Sequence, residues 1–197
     1  MIYLLHGINY SLSTTTGRLV RPLEAHGIKV HHFDQAVNWP WQSRSKRYLN
    51  DQARRFIYRM VEMRDATIVA HSQGCLQALY MLEAWRKYSD VPLFDKIYFL
   101  SPAANRTGWN FERYAFDEMR VIYNPDDLAI WLGGLLPFHR FGWAGCRGFK
   151  TEDPRVTQIS DRSKVDGWIG HSHYFRGDNL LETVGDIVDF HRGEDKS

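Results

Sequence analysis

The sequence predicts an α/β fold, a three-layer sandwich with helices on both faces of a mostly parallel sheet. Three observations lead there. Short apolar runs recur along the chain, and the clearest, Ala66 to Ala70, reads as a strand buried on both faces. The segments between them carry apolar residues on a helical period. Strand and helix alternate from end to end, which is the order of βαβ units.

Taken in order, Ile2 to Leu5 is an apolar strand that runs into the turn His6 to Tyr10. Ser11 to Ala25 holds a helix starting near Thr14 to Thr16, and Gly27 stops it. Ile28 to Phe33 alternates as a second strand. Asp34 to Gln42 is a loop with Trp39-Pro40-Trp41. A long helix from about Ser43 to Arg64 follows, with Tyr48, Leu49, Ala53, Phe56, Ile57, Met60 and Val61 among its apolar positions. After the strand at Ala66 to Ala70 comes a helix to about Tyr88, with Leu76, Ala78, Leu79 and Leu82 on one face. Leu93 to Leu100 is the next strand, Asn105 to Asp117 an aromatic loop or short helix, and Met119 to Tyr123 a further strand. Leu128 to Leu132 gives one or two helical turns. Gly133 to Pro154, rich in Gly, Pro and aromatics, reads as irregular. Val156 to Ser160 is the last strand, Asp161 to Gly170 the loop after it, and Tyr174 to His191 a closing amphipathic helix.

The chain has 197 residues, which suits one domain, and there is no internal repeat or interdomain linker. Hydrophobic content is 44% and charged content 24%, ordinary for a globular protein. A formal charge of +2 gives no argument for nucleic acid or an anionic membrane. The clusters Arg44 to Arg47 and Arg54-Arg55 read as solvated helix faces. No stretch approaches the roughly 20 apolar residues of a membrane span, and the N-terminus lacks the pattern of a signal peptide. The two cysteines, Cys75 and Cys146, form no Cys-x-x-Cys pair. Free thiols and a cytoplasmic setting are the expectation.

In an open parallel sheet, ligands bind beyond the carboxyl ends of the strands, and the candidate chemistry lies there. Ala70-His71-Ser72-Gln73-Gly74 joins a strand to a helix by a sharp turn flanked by small residues, the context of a serine nucleophile elbow. As plain structure, Ser72 would cap the helix. A serine hydroxyl needs a base, and the base needs an acid to hold its tautomer. Asn124-Pro125-Asp126-Asp127 follows a strand. One aspartate can serve the histidine while the other caps a helix, and Asp127 is favoured over Asp126. Gly170-His171-Ser172-His173 fills the last loop, with His171 favoured as the base and His173 the alternative. The amide of Gln73 and that of Ile8, after the turn glycine Gly7, are the candidate oxyanion donors. Tyr10, Trp39, Trp41 and Trp109, with Phe111, Phe138 and Trp143, are candidates to line a pocket. Cys75 reads as a buried hydrophobe rather than a reactive thiol. His26, His31 and His32 complete no ligand set, there is no phosphate loop, and no metal or cofactor is expected.

These motifs resemble those of the α/β-hydrolase family. Leu-Leu-His-Gly-Ile at 4–8 is similar to its oxyanion loop and Ala-His-Ser-Gln-Gly at 70–74 to its nucleophile elbow, with Ala70 in place of the usual Gly. Asn-Pro-Asp-Asp is similar to its acid turn and Gly-His-Ser-His to its terminal histidine. The resemblance spans essentially the whole chain. It implies a minimal fold lacking the family's first two strands and any large lid, in one domain over 1–192 with a frayed tail at 193–197. It also implies an esterase- or lipase-like serine hydrolase acting on a small-molecule or lipid-like ester through Ser72, Asp127 and His171. Two alternatives stay open. One is an acyltransferase on the same triad, the other a catalytically silent protein of this fold that binds a partner.

Overall fold

The computed structural model describes residues 1–7, 15–33, 46–60, 66–135, 142–161 and 170–194. Six strands, β1 (Ile2–Leu5), β2 (Val30–His32), β3 (Thr67–His71), β4 (Lys96–Leu100), β5 (Glu118–Tyr123) and β6 (Val156–Ser160), pair into one sheet in the order β2-β1-β3-β4-β5-β6. Every pairing is parallel, so the sheet is parallel throughout. The helices are α1 (Val20–Ala25), α2 (Lys46–Met60), α3 (Gln73–Trp85), α4 (Leu128–Leu135), α5 (Ala144–Arg147) and α6 (Gly177–Arg192).

The period-2 alternation of each strand sorts its side chains into two cores. Tyr3, Leu5, Ile68, Ala70, Ile97 and Phe99 face the layer of α2 and α3. Ile2, Leu4, Val69, Tyr98, Leu100 and Ile122 face the layer of α1 and α6, with Leu23, Val184, Ile187 and Phe190. Because both faces are covered, β1 and β3 are buried at every position, including the polar ends Thr67 and His71 of β3.

The strand order reverses at β1, which has β2 on one side and β3 on the other. Such a reversal opens a crevice at the carboxyl ends of the two strands, because the connections leave in opposite directions. The turns after β1 and β3, carrying Gly7 and Ser72, meet in that crevice.

Several elements differ from their predicted extents. β4 begins at Lys96 rather than Leu93. The Asp95 carbonyl accepts the amides of Asp117 and Glu118, which bends the chain. Leu93 and Phe94 fill the core as loop residues instead. β2 covers three residues, with Ile28 and Phe33 turning into opposite cores. α6 begins at Gly177, and the predicted helical start Tyr174-Phe175 lies in a 3₁₀ turn, Gly170–Phe175, kinked at Ser172. Gly133 to Pro154 is less irregular than its composition suggests. α4 continues through Gly133 and Gly134 to Leu135, the indole of Trp143 occupying the space a side chain at 134 would need, and α5 follows. At the end of α6 the amides of Gly193 and Glu194 bond back to Phe190 and Asp189, so the first tail residues cap the helix. Residues 195–197, the loop at 34–42 and both predicted ends of the long second helix lie outside the described residues.

Candidate active site

The turn between β3 and α3 holds Ser72 at φ 55°, ψ −121°, a conformation rare for a residue with a side chain. The neighbouring strand β4 and the segment just after it hold this backbone in place. The Ser72 amide donates to the Leu100 carbonyl at 3.0 Å, and the Ser72 carbonyl accepts from Ala103 at 3.0 Å. The hydroxyl makes no capping hydrogen bond to α3, so the plain structural account of this serine as a helix cap fails. Two glycines make the turn fit. A Cβ on Gly74 would lie 2.6 Å from the Leu5 carbonyl oxygen and 2.8 Å from that of His6. A Cβ on Gly7 would lie 3.0 Å from the Ser72 Cβ and 3.3 Å from its Oγ. The turn after β1 is therefore packed directly against the Ser72 side chain.

After β5, Asp127 is fully buried while its neighbour Asp126 is exposed. Asp127 takes both of the duties that the sequence divides between two aspartates. Its Oδ1 accepts the Ile130 amide at 3.0 Å and caps α4, and its Oδ2 lies 2.7 Å from His171 Nδ1. Asp126 donates its amide to Asn124 Oδ1. Burial alone would raise the Asp127 pKa. The hydrogen bond and charge of His171, the Ile130 amide and the Ser101 hydroxyl outweigh it and hold the carboxyl below its ordinary range.

His171 lies in the 3₁₀ turn before α6, its side chain 16% exposed. A carboxylate can only accept, so Nδ1 carries the proton facing Asp127 and Nε2 is left as a lone pair when the ring is neutral. His173 is engaged elsewhere, with Nε2 2.9 Å from Asp161 Oδ2 and its ring against Tyr174.

Three residues with no role in the sequence reading join this constellation. Ser101, at φ 41° and fully buried at the end of β4, bonds Asp127 and lies 3.2 Å from the Tyr174 hydroxyl. His71, the residue before Ser72, has Nε2 2.8 Å from the His171 carbonyl oxygen. Their signal in the sequence is only position: Ser101 ends a strand as Ser72 does, and His71 sits inside the elbow motif.

Of the candidate oxyanion donors, Gln73 opens α3, where its amide has no partner within the helix. Ile8 lies outside the described residues, as do Tyr10, Trp39, Trp41 and Phe138. Trp109 packs edge-on against Tyr80 and walls a groove of about 450 Å³ with Leu76, Tyr80 and Asn105. Phe111 is a core residue packed on Phe149 and Tyr114, and Trp143 packs under α4. Both cysteines are free and buried. Burial raises the pKa of each, that of Cys146 to about 12, which makes neither thiol nucleophilic. Among the described residues no group of three or more His, Cys, Asp or Glu could hold a metal ion, and no helix is long and apolar enough to cross a membrane.

Neither a protein-family profile nor the sequence of a curated protein matches the chain. Solved structures do match in shape. A Paleococcus ferrophilus monoacylglycerol lipase is similar at TM-score 0.57 and 13% identity, over 98% of this chain and 94% of that one. A protein from Xanthomonas campestris pv. campestris, assigned by inference to the hydrolases of the alpha/beta superfamily, is similar at TM-score 0.54 and 12% identity, over 98% and 96%. A Pyrobaculum calidifontis esterase is similar at TM-score 0.53 and 15% identity, over 98% and 76%.

Proposed function

We propose that this chain, which has the α/β-hydrolase fold, is a serine hydrolase that cleaves a carboxylic ester through an acyl-enzyme. The observation that carries the reading is the 2.7 Å pairing of His171 Nδ1 with the fully buried Asp127, held at the same end of the sheet as the strained Ser72 turn. A carboxylate this buried stays ionised only because it is paired and hydrogen-bonded, and such perturbed groups gather at functional sites. Here the partner is an imidazole held with one nitrogen free.

In this reading Ser72 Oγ attacks the acyl carbonyl carbon while His171 Nε2 takes its proton. The carbonyl π electrons move to oxygen, and the oxyanion is met by the amides of Gln73 and Ile8. When the tetrahedral species collapses, the bond to the leaving oxygen breaks and His171 returns the proton to the alcohol. Water then repeats the sequence on the acyl-serine, releasing the acid and restoring Ser72. Asp127 stays ionised and offsets the charge of the imidazolium in both halves. Trp109, which walls a groove that also carries Glu83, Arg86 and Arg113, is a proposed substrate contact, with Tyr10, Trp39 and Trp41 the other proposed contributors. The esterase and lipase names of the structural neighbours agree with an ester as the scissile bond.

The test is stopped-flow hydrolysis of p-nitrophenyl esters of increasing acyl length. The reading expects a burst of p-nitrophenol close to one equivalent per chain with at least one ester, and none from Ser72→Ala. Turnover with no dependence on Ser72 would reject it.

A further inference from the structure

We propose that His71 is a positioning residue, whose Nε2–H donates to the His171 main-chain carbonyl and so fixes the base-bearing turn relative to the nucleophile. The inference rests on the serine-hydrolase reading above and adds to it a residue that touches no substrate.

The hydrogen bond fixes the chemistry of the ring. A carbonyl oxygen only accepts, so at 2.8 Å the His71 Nε2 must carry hydrogen. Nδ1 is buried and has no partner among the described residues. A ring that donates at Nε2 and leaves Nδ1 bare is a neutral imidazole in one tautomer. An orphaned buried acceptor has a cost, and the bond to the His171 turn is what that arrangement provides.

The connectivity makes the bond a measure of distance. His71 and Ser72 hang from adjacent Cα atoms, about 3.8 Å apart across a trans peptide, on a backbone held by the Ser72 amide on Leu100. The other end is a kinked 3₁₀ turn, Gly170–Phe175. Its side chains tie it to Asp127 after β5, to Asp161 after β6 and to Ser101 after β4, and its Phe175 carbonyl accepts from the Arg18 guanidinium at 3.0 Å. The bond from His71 ties it to β3, the strand that presents Ser72. Ring packing supports the bond, with His71 4.6 Å from the His171 centroid and edge-on to Phe175 at 5.0 Å.

Neutrality also matters. Among the described residues the titratable groups acting on His71 are His171, Asp127 and His173. Burial first, and then the charge of His171, push the His71 pKa down to about 3. His71 can thus sit beside His171 without opposing the imidazolium that forms there.

The experiment compares His71→Gln, whose amide can donate from the same reach, with His71→Phe, which keeps the ring and loses the donor. The readouts are the fluorophosphonate labelling rate and the kcat and KM for p-nitrophenyl acetate. His71→Phe should lose roughly 10- to 100-fold in labelling rate and kcat with KM within about threefold, as expected for a misplaced catalytic group, and His71→Gln should recover most of it. Wild-type rates in His71→Phe, or equal losses in the two variants, would overturn the proposal. A wild-type protein that fails to label would instead sink the hydrolase reading. If His71→Phe does not fold, imidazole ¹⁵N NMR of the wild type decides. The Nε2-protonated ring should stay neutral from about pH 8 to pH 5, and an Nδ1-protonated ring, or titration in that range, would overturn the proposal.

Discussion

Gly74→Ala tests whether the elbow is as tight as the structure has it. The added Cβ would stand 2.6 Å from the Leu5 carbonyl oxygen and 2.8 Å from both the Leu5 carbonyl carbon and the His6 oxygen. Ordinary contact begins near 3.4 Å, so β1 and α3 must part by roughly 0.6 to 0.8 Å. None of the three atoms can swing aside as a side chain would, because all are main chain, at the end of β1 and in the turn just after it, and Leu5 is held in register with Ala70 of β3. Overpacking of this kind costs about 1–3 kcal/mol, and the helix propensity of Ala returns at most about 1 kcal/mol of it. The net loss lies between roughly 0 and 3 kcal/mol, a Tm decrease of up to roughly 12 °C for a chain of this size. The same displacement moves Gly7 relative to the Ser72 side chain, so fluorophosphonate labelling should slow by about 10-fold or more. Gly185→Ala is the control. Nothing lies within 4 Å of its Cβ position in α6, and it should be neutral or up to about 1 kcal/mol stabilising. Thermal denaturation and labelling of both variants read the result. A Gly74→Ala protein with wild-type Tm and wild-type labelling would refute the reasoning.

Asp127→Asn should reduce labelling by on the order of 10³- to 10⁴-fold, since an amide can turn the imidazole to the wrong tautomer, while Asp126→Asn should label at the wild-type rate. His173→Gln should cost about 1–2 kcal/mol in denaturant unfolding, by weakening a buried bond to a carboxylate, and leave labelling within about threefold. A large loss there would make His173 the base. Stability should also fall in acid. His71 has a folded pKa of about 3 against about 6.5 unfolded. The unfolded chain therefore binds more protons between those values, and stability drops as pH falls from about 6.5 toward 3. Asp127 acts lower, its contribution present above about 3.9 and lost as pH falls through its depressed folded value. Thermal unfolding between about pH 6.5 and pH 4 should show a shallower slope in His71→Phe than in the wild type.

Much of the frame was legible because local chemistry and global position agree. The run Ala66 to Ala70, rich in β-branched residues and followed by a sharp turn, reads as a doubly buried strand, and β3 is buried along its length. The elbow and the acid and histidine turns follow strands because a parallel sheet gathers its carboxyl ends on one side. The choice between Asp126 and Asp127 was legible only as a preference for Asp127. The two are adjacent in one turn, and only the packing decides which carboxyl is buried. The structure then gives Asp127 both the cap and the histidine, whereas the sequence divides these between two residues. Leu93-Phe94 misled because an apolar run looks the same as a strand or as a buried loop. Tyr174-Phe175 misled because their spacing continues the phase of α6, although Gly177 at φ 49° separates them from it. Ser101, Tyr174 and His71 join the constellation through contacts between residues 73 and 100 positions apart, and no local pattern announces such contacts.

The central claim is that Ser72 is a nucleophile activated by the pair His171 and Asp127. Fluorophosphonate labelling of the folded protein, followed by mass-spectrometric mapping of the adduct, tests it without knowledge of the substrate. The account predicts one phosphonyl group per chain, attached to Ser72, absent from Ser72→Ala and slowed by several orders of magnitude in His171→Ala. An unlabelled wild-type protein, or an adduct on any other residue, would contradict it.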